Sequence, residues 1–155
     1  MALRLRTVSI NLPFGLGGVQ VDVSEAEARA AWNLYVELAT RVAVRPLEEG
    51  QGFAREALNS LYTLFGTTRQ VLRQAGPEIA DGPEALGPLA IRILNEGLRP
   101  FMVRWHTELT AFEASVPSGE SGWPRRAEFD KDLQRVQAEL GIYVEMLAKL
   151  AGVTP

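Results

Sequence analysis

In the segment LNEGLRPFMVRWH, Arg99 and His106 stand with six residues between them, and Asn95 lies one helical turn upstream of Arg99. A guanidinium grips a phosphate in a bidentate way and an imidazole exchanges protons near neutral pH, so the pair is equipped for chemistry at a phosphodiester. The bland reading of the same residues is a surface or interface histidine beside a core tryptophan, Trp105. His106 is the single histidine and the chain has no cysteine. Disulfides, thiolate catalysis and thiolate metal ligation are therefore excluded, and a metal site would have to rest on carboxylates. Neither a metal nor a cofactor is expected.

A second group of chemically capable residues is a set of arginines. All of the 16 basic residues except Lys131 and Lys149 are arginine. Arg41, Arg45, Arg69, Arg73, Arg92, Arg99 and Arg104 fall on three expected helices near Glu37, Asn59, Asn95 and Glu96. If several converge between helices, they form an anion-binding patch for a nucleotide, a phosphate or an RNA backbone, or else a buried ion-pair network. If they do not, they are solvated faces with local pairs such as Glu37 to Arg41. The glycine-rich FGLGG run (Phe14 to Gly18) reads as a turn rather than a phosphate loop, because a second strand follows it instead of a helix N-terminus.

The spacing of Arg99 and His106 resembles the R-x4-6-H motif of HEPN-domain ribonucleases. That resemblance implies a small helical bundle that dimerises, so that the motifs of two subunits meet at a cleft. It also implies metal-independent RNA cleavage, with Arg99 holding the phosphate and His106 moving protons. The match covers this one motif and departs from the family at Pro100, where a polar residue is common. The segments LYVELATR, SLYTLFGTTR and LNEGLRPFMVRWH also resemble small uncharacterised helical proteins of GC-rich bacteria, some of them in anti-phage or other conflict systems.

The elements that must position these residues follow from periodicity. Val19, Val21 and Val23 alternate with polar residues, and LRLRTVSI precedes them across the turn-rich NLPFGLGG, which predicts a β-hairpin with a longish loop over 3–23. Ser24 with Glu27 forms a capping box for a first helix over 24–45, its stripe Ala28, Trp32, Tyr35, Ala39 and Val42 ending before Pro46. A second helix over 52–75 carries Phe53, Ala57, Leu61, Leu64, Phe65, Thr68, Val71 and Leu72 on one side. A third, over 83–115, starts at Asp81 or Gly82 with Pro83 in its first turn, and Pro100 predicts a kink or break near Gly97. A fourth runs over 124–151 on Phe129, Leu133, Val136, Leu140, Val144, Leu147 and Ala151.

The expected fold is mainly α, an antiparallel four-helix bundle with an N-terminal β-hairpin, in one domain spanning 1–155. The 46% hydrophobic content supplies a core, and the formal charge of -3 gives no broad reason to expect nucleic acid. No apolar run approaches the roughly 18 residues of a membrane span, so no membrane insertion is expected. The N-terminus lacks the apolar region of a secretory signal, which makes the cytoplasm the expected location. Leu34, Leu38, Leu98, Met102, Ile142 and Met146 lie off the main stripes. With the open hairpin edge, this surplus favours a homo-oligomer or a protein partner. The leading expectation is a non-enzymatic interaction or regulatory module; a HEPN-like ribonuclease and an anion or nucleotide sensor are the alternatives.

Overall fold

The computed structural model describes residues 6–41, 54–116 and 122–154. The chain is mainly α, with four helical runs among the described residues behind an N-terminal antiparallel hairpin, as its periodicity predicts. Strand β1 (Arg6–Leu12) pairs with β2 (Gly17–Val23) in a register that sets Val8 against Val21 and Ile10 against Val19. One face of the hairpin buries Val8, Ile10, Leu12, Val21 and Val23, while Thr7, Ser9, Gln20 and Asp22 face outward. The loop is tighter than the expected one. Pro13 O accepts from Leu16 N at 3.3 Å, and Phe14 (φ 58°) and Gly15 (φ 70°) both take the left-handed region that a two-residue hairpin turn requires.

Helix α1 (Glu25–Ala39) opens with the expected capping box, Ser24 accepting from Glu27 N and the Glu27 carboxylate accepting from Ser24 N. It stops at Ala39, short of the expected 45, where Thr40 Oγ1 donates to Val36 O at 2.7 Å. Residues 42–45, including Arg45, lie outside the described residues. The buried face also differs from the expected stripe: Ala30, Ala31, Leu34 and Leu38 are buried, whereas Trp32 is 46% exposed and stacks on Tyr35 at 5.7 Å. Helix α1 packs on both neighbours, α2 (Ala54–Ala75) and α5 (Arg126–Ala151), and the small and branched residues fill that double contact while the indole sits at its rim. Phe53 lies outside the described residues; Ala57, Leu61, Leu64, Phe65, Thr68 and Val71 of the predicted α2 stripe are buried as expected, whereas Leu72 is half-buried at its edge.

A 3₁₀ turn (Pro77–Ala80) leads from α2 into the third run. Its helix α3 (Leu86–Arg92) starts three residues later than the Pro83 signal predicts. Gly82 turns the chain at φ 97°, and the free amide of Leu86 is capped from afar by Glu27 Oε2 at 3.0 Å. Helix α3 continues through a π-helical segment (Ile93–Leu98) into α4 (Arg99–Ser115), so the anomaly expected at Pro100 takes the form of a widened turn. Proline has no amide to give and its ring crowds the carbonyl four residues back; the π segment shifts the preceding bond to Arg99 N and Leu94 O, and Pro100 enters the first turn of α4, where no donor is needed. The buried pairs Ile93/Leu94, Gly97/Leu98 and Phe101/Met102 repeat every four residues, a spacing that drifts by roughly 40° per step on an α-helix. A wider turn slows that drift and keeps all three pairs in the core.

The core centres on Trp105, Phe129 and Tyr143, all fully buried. Leu34, Leu38, Leu98, Met102 and Met146, expected as apolar surplus, belong to it as well, and of that group Ile142 alone is exposed. No helix among the described residues is long and apolar enough to cross a membrane.

Candidate anion-binding groove

On α2, Tyr62, Phe65, Gly66, Arg69, Leu72 and Arg73 recur at spacings of three and four, which places them on one side of the helix. The third helical run supplies the facing wall with Ile91, Leu94, Asn95, Arg99, Met102 and Val103. Two adjoining open depressions lie between the walls. The first, of about 340 Å³, is lined by Phe65, Thr68, Leu72, Arg73, Ile91 and Leu94 together with Arg69, Asn95 and Arg99. The second, of about 290 Å³, is lined by Tyr62, Thr63, Gly66, Met102 and Val103 and again by Phe65, Arg69 and Arg99. Arg69, Arg99 and Phe65 thus stand on the ridge that both depressions share.

Arg99 is held in place from two sides. Its Nε and Nη2 donate to Asn95 Oδ1 at 3.1 and 3.0 Å, and its guanidinium lies over the Phe65 ring at 4.9 Å. Neither contact neutralises its charge. Arg69 and Arg73 have no hydrogen-bond or ion-pair partner among the described residues. Thr68, 3% exposed, sits in the wall with its hydroxyl oxygen buried and unpartnered. Gly66 is a further oddity, because an interior helical glycine costs about 1 kcal/mol relative to alanine and a Cβ here would meet nothing within 4 Å.

Most other arginines near the bundle's third run are occupied. Arg41 bridges α1 and α2 through Glu37, Thr63 and Thr67, and Arg92 pairs with Glu96 one turn on. Arg55 pairs with Glu113, Arg126 with Asp130 and Arg135 with Asp132. Arg104 and Arg125 bracket the buried Trp105 ring at 4.5 and 5.0 Å and are neutralised by Glu108, Glu128 and Asp132. The hydrogen bond from Arg125 holds the Glu128 carboxyl below its ordinary range, against some desolvation, and the charges of Arg125 and Arg104 add to the effect. Of the anion-binding candidates, then, Arg69, Arg73 and Arg99 converge on the groove, while Arg41 and Arg92 do not line it.

His106 lines neither depression, although it packs behind Tyr62, which lines the second. Its Nδ1 lies 3.0 Å from Arg55 Nη1, and its ring meets the edge of Tyr62 at 5.7 Å. Since a guanidinium only donates, Nδ1 accepts in this arrangement and the ring proton sits on Nε2. Arg99 and His106 occupy the same side of α4, but seven residues separate them by about 10 Å along the axis. Neither depression counts a carboxylate or an imidazole among its described lining residues. No group of three or more His, Cys, Asp or Glu among the described residues could hold a metal.

Sequence reasoning overlooked Arg55, Tyr62, Ile91 and Val103. The signal was present: Tyr62, Gly66, Arg69 and Arg73 form one polar-flanked stripe on α2, next to the more conspicuous core stripe. Compared with protein-family models, curated proteins and solved structures, the chain matches none. What fold and groove define is a mainly helical protein with an unneutralised cationic groove.

Proposed function

We propose that the chain is a non-enzymatic binding module that senses a phosphate-bearing ligand in the groove between α2 and α4. The observation that carries this reading is the convergence of Arg69, Arg73 and Arg99, three unneutralised arginines, beside an apolar wall. In a chain of net charge -3, a local cluster of this kind is a place where a multivalent anion gains charge-assisted hydrogen bonds, and the apolar wall shelters the body it is attached to. The described lining residues offer Arg donors and no general base, which suits binding better than turnover. The test is a thermal-shift and calorimetric screen of phosphorylated compounds, nucleotides included. Binding should raise the melting temperature, and Arg69→Ala and Arg99→Ala should each abolish the shift. A flat response across the panel would sink the reading.

A second reading is the HEPN-like ribonuclease, favoured by Arg99 and His106 sharing one side of α4. Because about 10 Å of helix separates them, that reading needs a second copy of the chain to complete a site. His106→Ala would abolish RNA cleavage under it and leave ligand binding in the groove unchanged under the first.

A further inference from the structure

The two depressions meet at shared residues, and this bears on what the ligand looks like. Resting on the reading of the groove as a phosphate site, we infer that its ligand is a dinucleotide: two nucleosides joined through a phosphate that sits on the Arg69–Arg99 ridge, one nucleoside in each depression. The ridge position is fixed by composition, since Arg69, Arg99 and Phe65 are the residues that line both sides. Each depression, about 340 and 290 Å³, is at the lower end of what a small ligand occupies, so one nucleoside fits each and neither holds a whole dinucleotide alone.

Both sides have the walls that a flat heterocycle wants and polar groups at the edge. The first sets Ile91, 51% exposed, opposite Leu72, with Asn95 and Thr68 beside them; the second sets Val103, 59% exposed, near Tyr62 with Thr63. Arg73 lines the first depression alone, which places a terminal 5′-phosphate on that side. A longer strand fits poorly. Lengthy single strands are held by a charged track, and here, among the described residues, Arg73 is the one unpaired cation off the ridge that lines the groove, while Arg55 is cancelled by Glu113 and Arg92 by Glu96.

The test compares adenosine 5′-monophosphate, 5′-phosphorylated adenylyl-adenosine and an adenosine octanucleotide by calorimetry at one salt concentration. It uses the full chain and two variants, Ile91→Asp and Val103→Asp, each altering one depression at an exposed position, with melting curves to show that both remain folded. The dinucleotide should bind at least tenfold more tightly than the mononucleotide, and either variant should remove most of that gain. Equal affinity for the mono- and dinucleotide, or a gain lost in only one variant, overturns the inference while leaving the phosphate site standing. An octanucleotide that binds tenfold more tightly than the dinucleotide replaces it with strand binding. If none of the three binds, the phosphate-site reading falls and the dinucleotide falls with it.

Discussion

The ring of Phe14, at the tip of the hairpin, lies directly against Gly97 in the π segment, in the space that any β-carbon at position 97 would fill. The tip is fixed from below as well, since Phe14 N donates to Glu139 Oε2 of α5 at 2.5 Å. Phe14 holds a φ of 58°, which a bulky residue adopts only when its surroundings compensate, and the ring contact with Gly97 is such a compensation. Gly97→Ala should therefore lower stability by about 1–3 kcal/mol, although alanine is the better helix former. Chemical denaturation of Gly97→Ala, Phe14→Ala and the double variant checks it. The double variant should be more stable than the two single losses predict, and strict additivity would mean that the two residues do not meet in solution.

Gly66 tests the groove without touching a charge. Since nothing lies within 4 Å of a Cβ at this position, Gly66→Ala should stabilise α2 by about 1 kcal/mol, read as a higher denaturation midpoint. Gly66→Trp should fold equally well but fill the second depression, which Gly66 lines, and weaken phosphorylated ligands at least tenfold. Gly66→Ala should bind as the parent does, which separates the bulk of the indole from the mere loss of glycine. Unchanged binding in Gly66→Trp would place the ligand elsewhere.

How far these features could be read from the sequence depended on the distance between the residues involved. The capping box at Ser24 and Glu27, the pair Glu37 and Arg41, and the disturbance at Pro100 all arise within one or two turns, and the order of residues displays them. The second partner of Glu27, the Leu86 amide 59 residues away, is invisible locally, and with it the true start of α3. The stripe of α1 is ambiguous because Ala28, Trp32, Tyr35 and Ala39 make one apolar face and Ala30, Ala31, Leu34 and Leu38 another, roughly 115° round the same helix. Which phase is buried was decided by α5 and α2 packing on either side. The arginines divide likewise: Arg104 is cancelled by Glu128 and Asp132, 24 and 28 positions on, so only the folded chain separates it from Arg69 and Arg99.

Acid should weaken the ion pairs over Trp105. The Glu128 carboxyl is held below the ordinary value of 4.5 chiefly by the hydrogen bond from Arg125. A carboxyl depressed in the folded state adds stability that is fully present above its unfolded value and is lost as pH falls through the folded one. Denaturation midpoints of the parent chain should thus drop between neutral pH and pH values below 4.5, and Glu128→Gln should show a smaller drop over the same window. Parallel acid limbs would show that this exposed pair contributes nothing measurable.

Tyr143 offers a prediction of the opposite sign. Its side chain is fully buried on α5, its hydroxyl has no hydrogen-bond partner among the described residues, and burial pushes the phenol well above its ordinary range. A buried donor left unmatched costs about 1–3 kcal/mol in desolvation, and phenylalanine keeps the ring while removing the penalty. Tyr143→Phe should accordingly unfold at a higher denaturant concentration with an unchanged slope, a gain of about 1 kcal/mol. The alkaline absorbance titration should agree: Tyr143 should ionise only on unfolding. A Tyr143→Phe variant that is less stable than the parent would mean that the hydroxyl has found a partner, and Tyr143 ionising before unfolding would mean that water reaches the centre of the bundle.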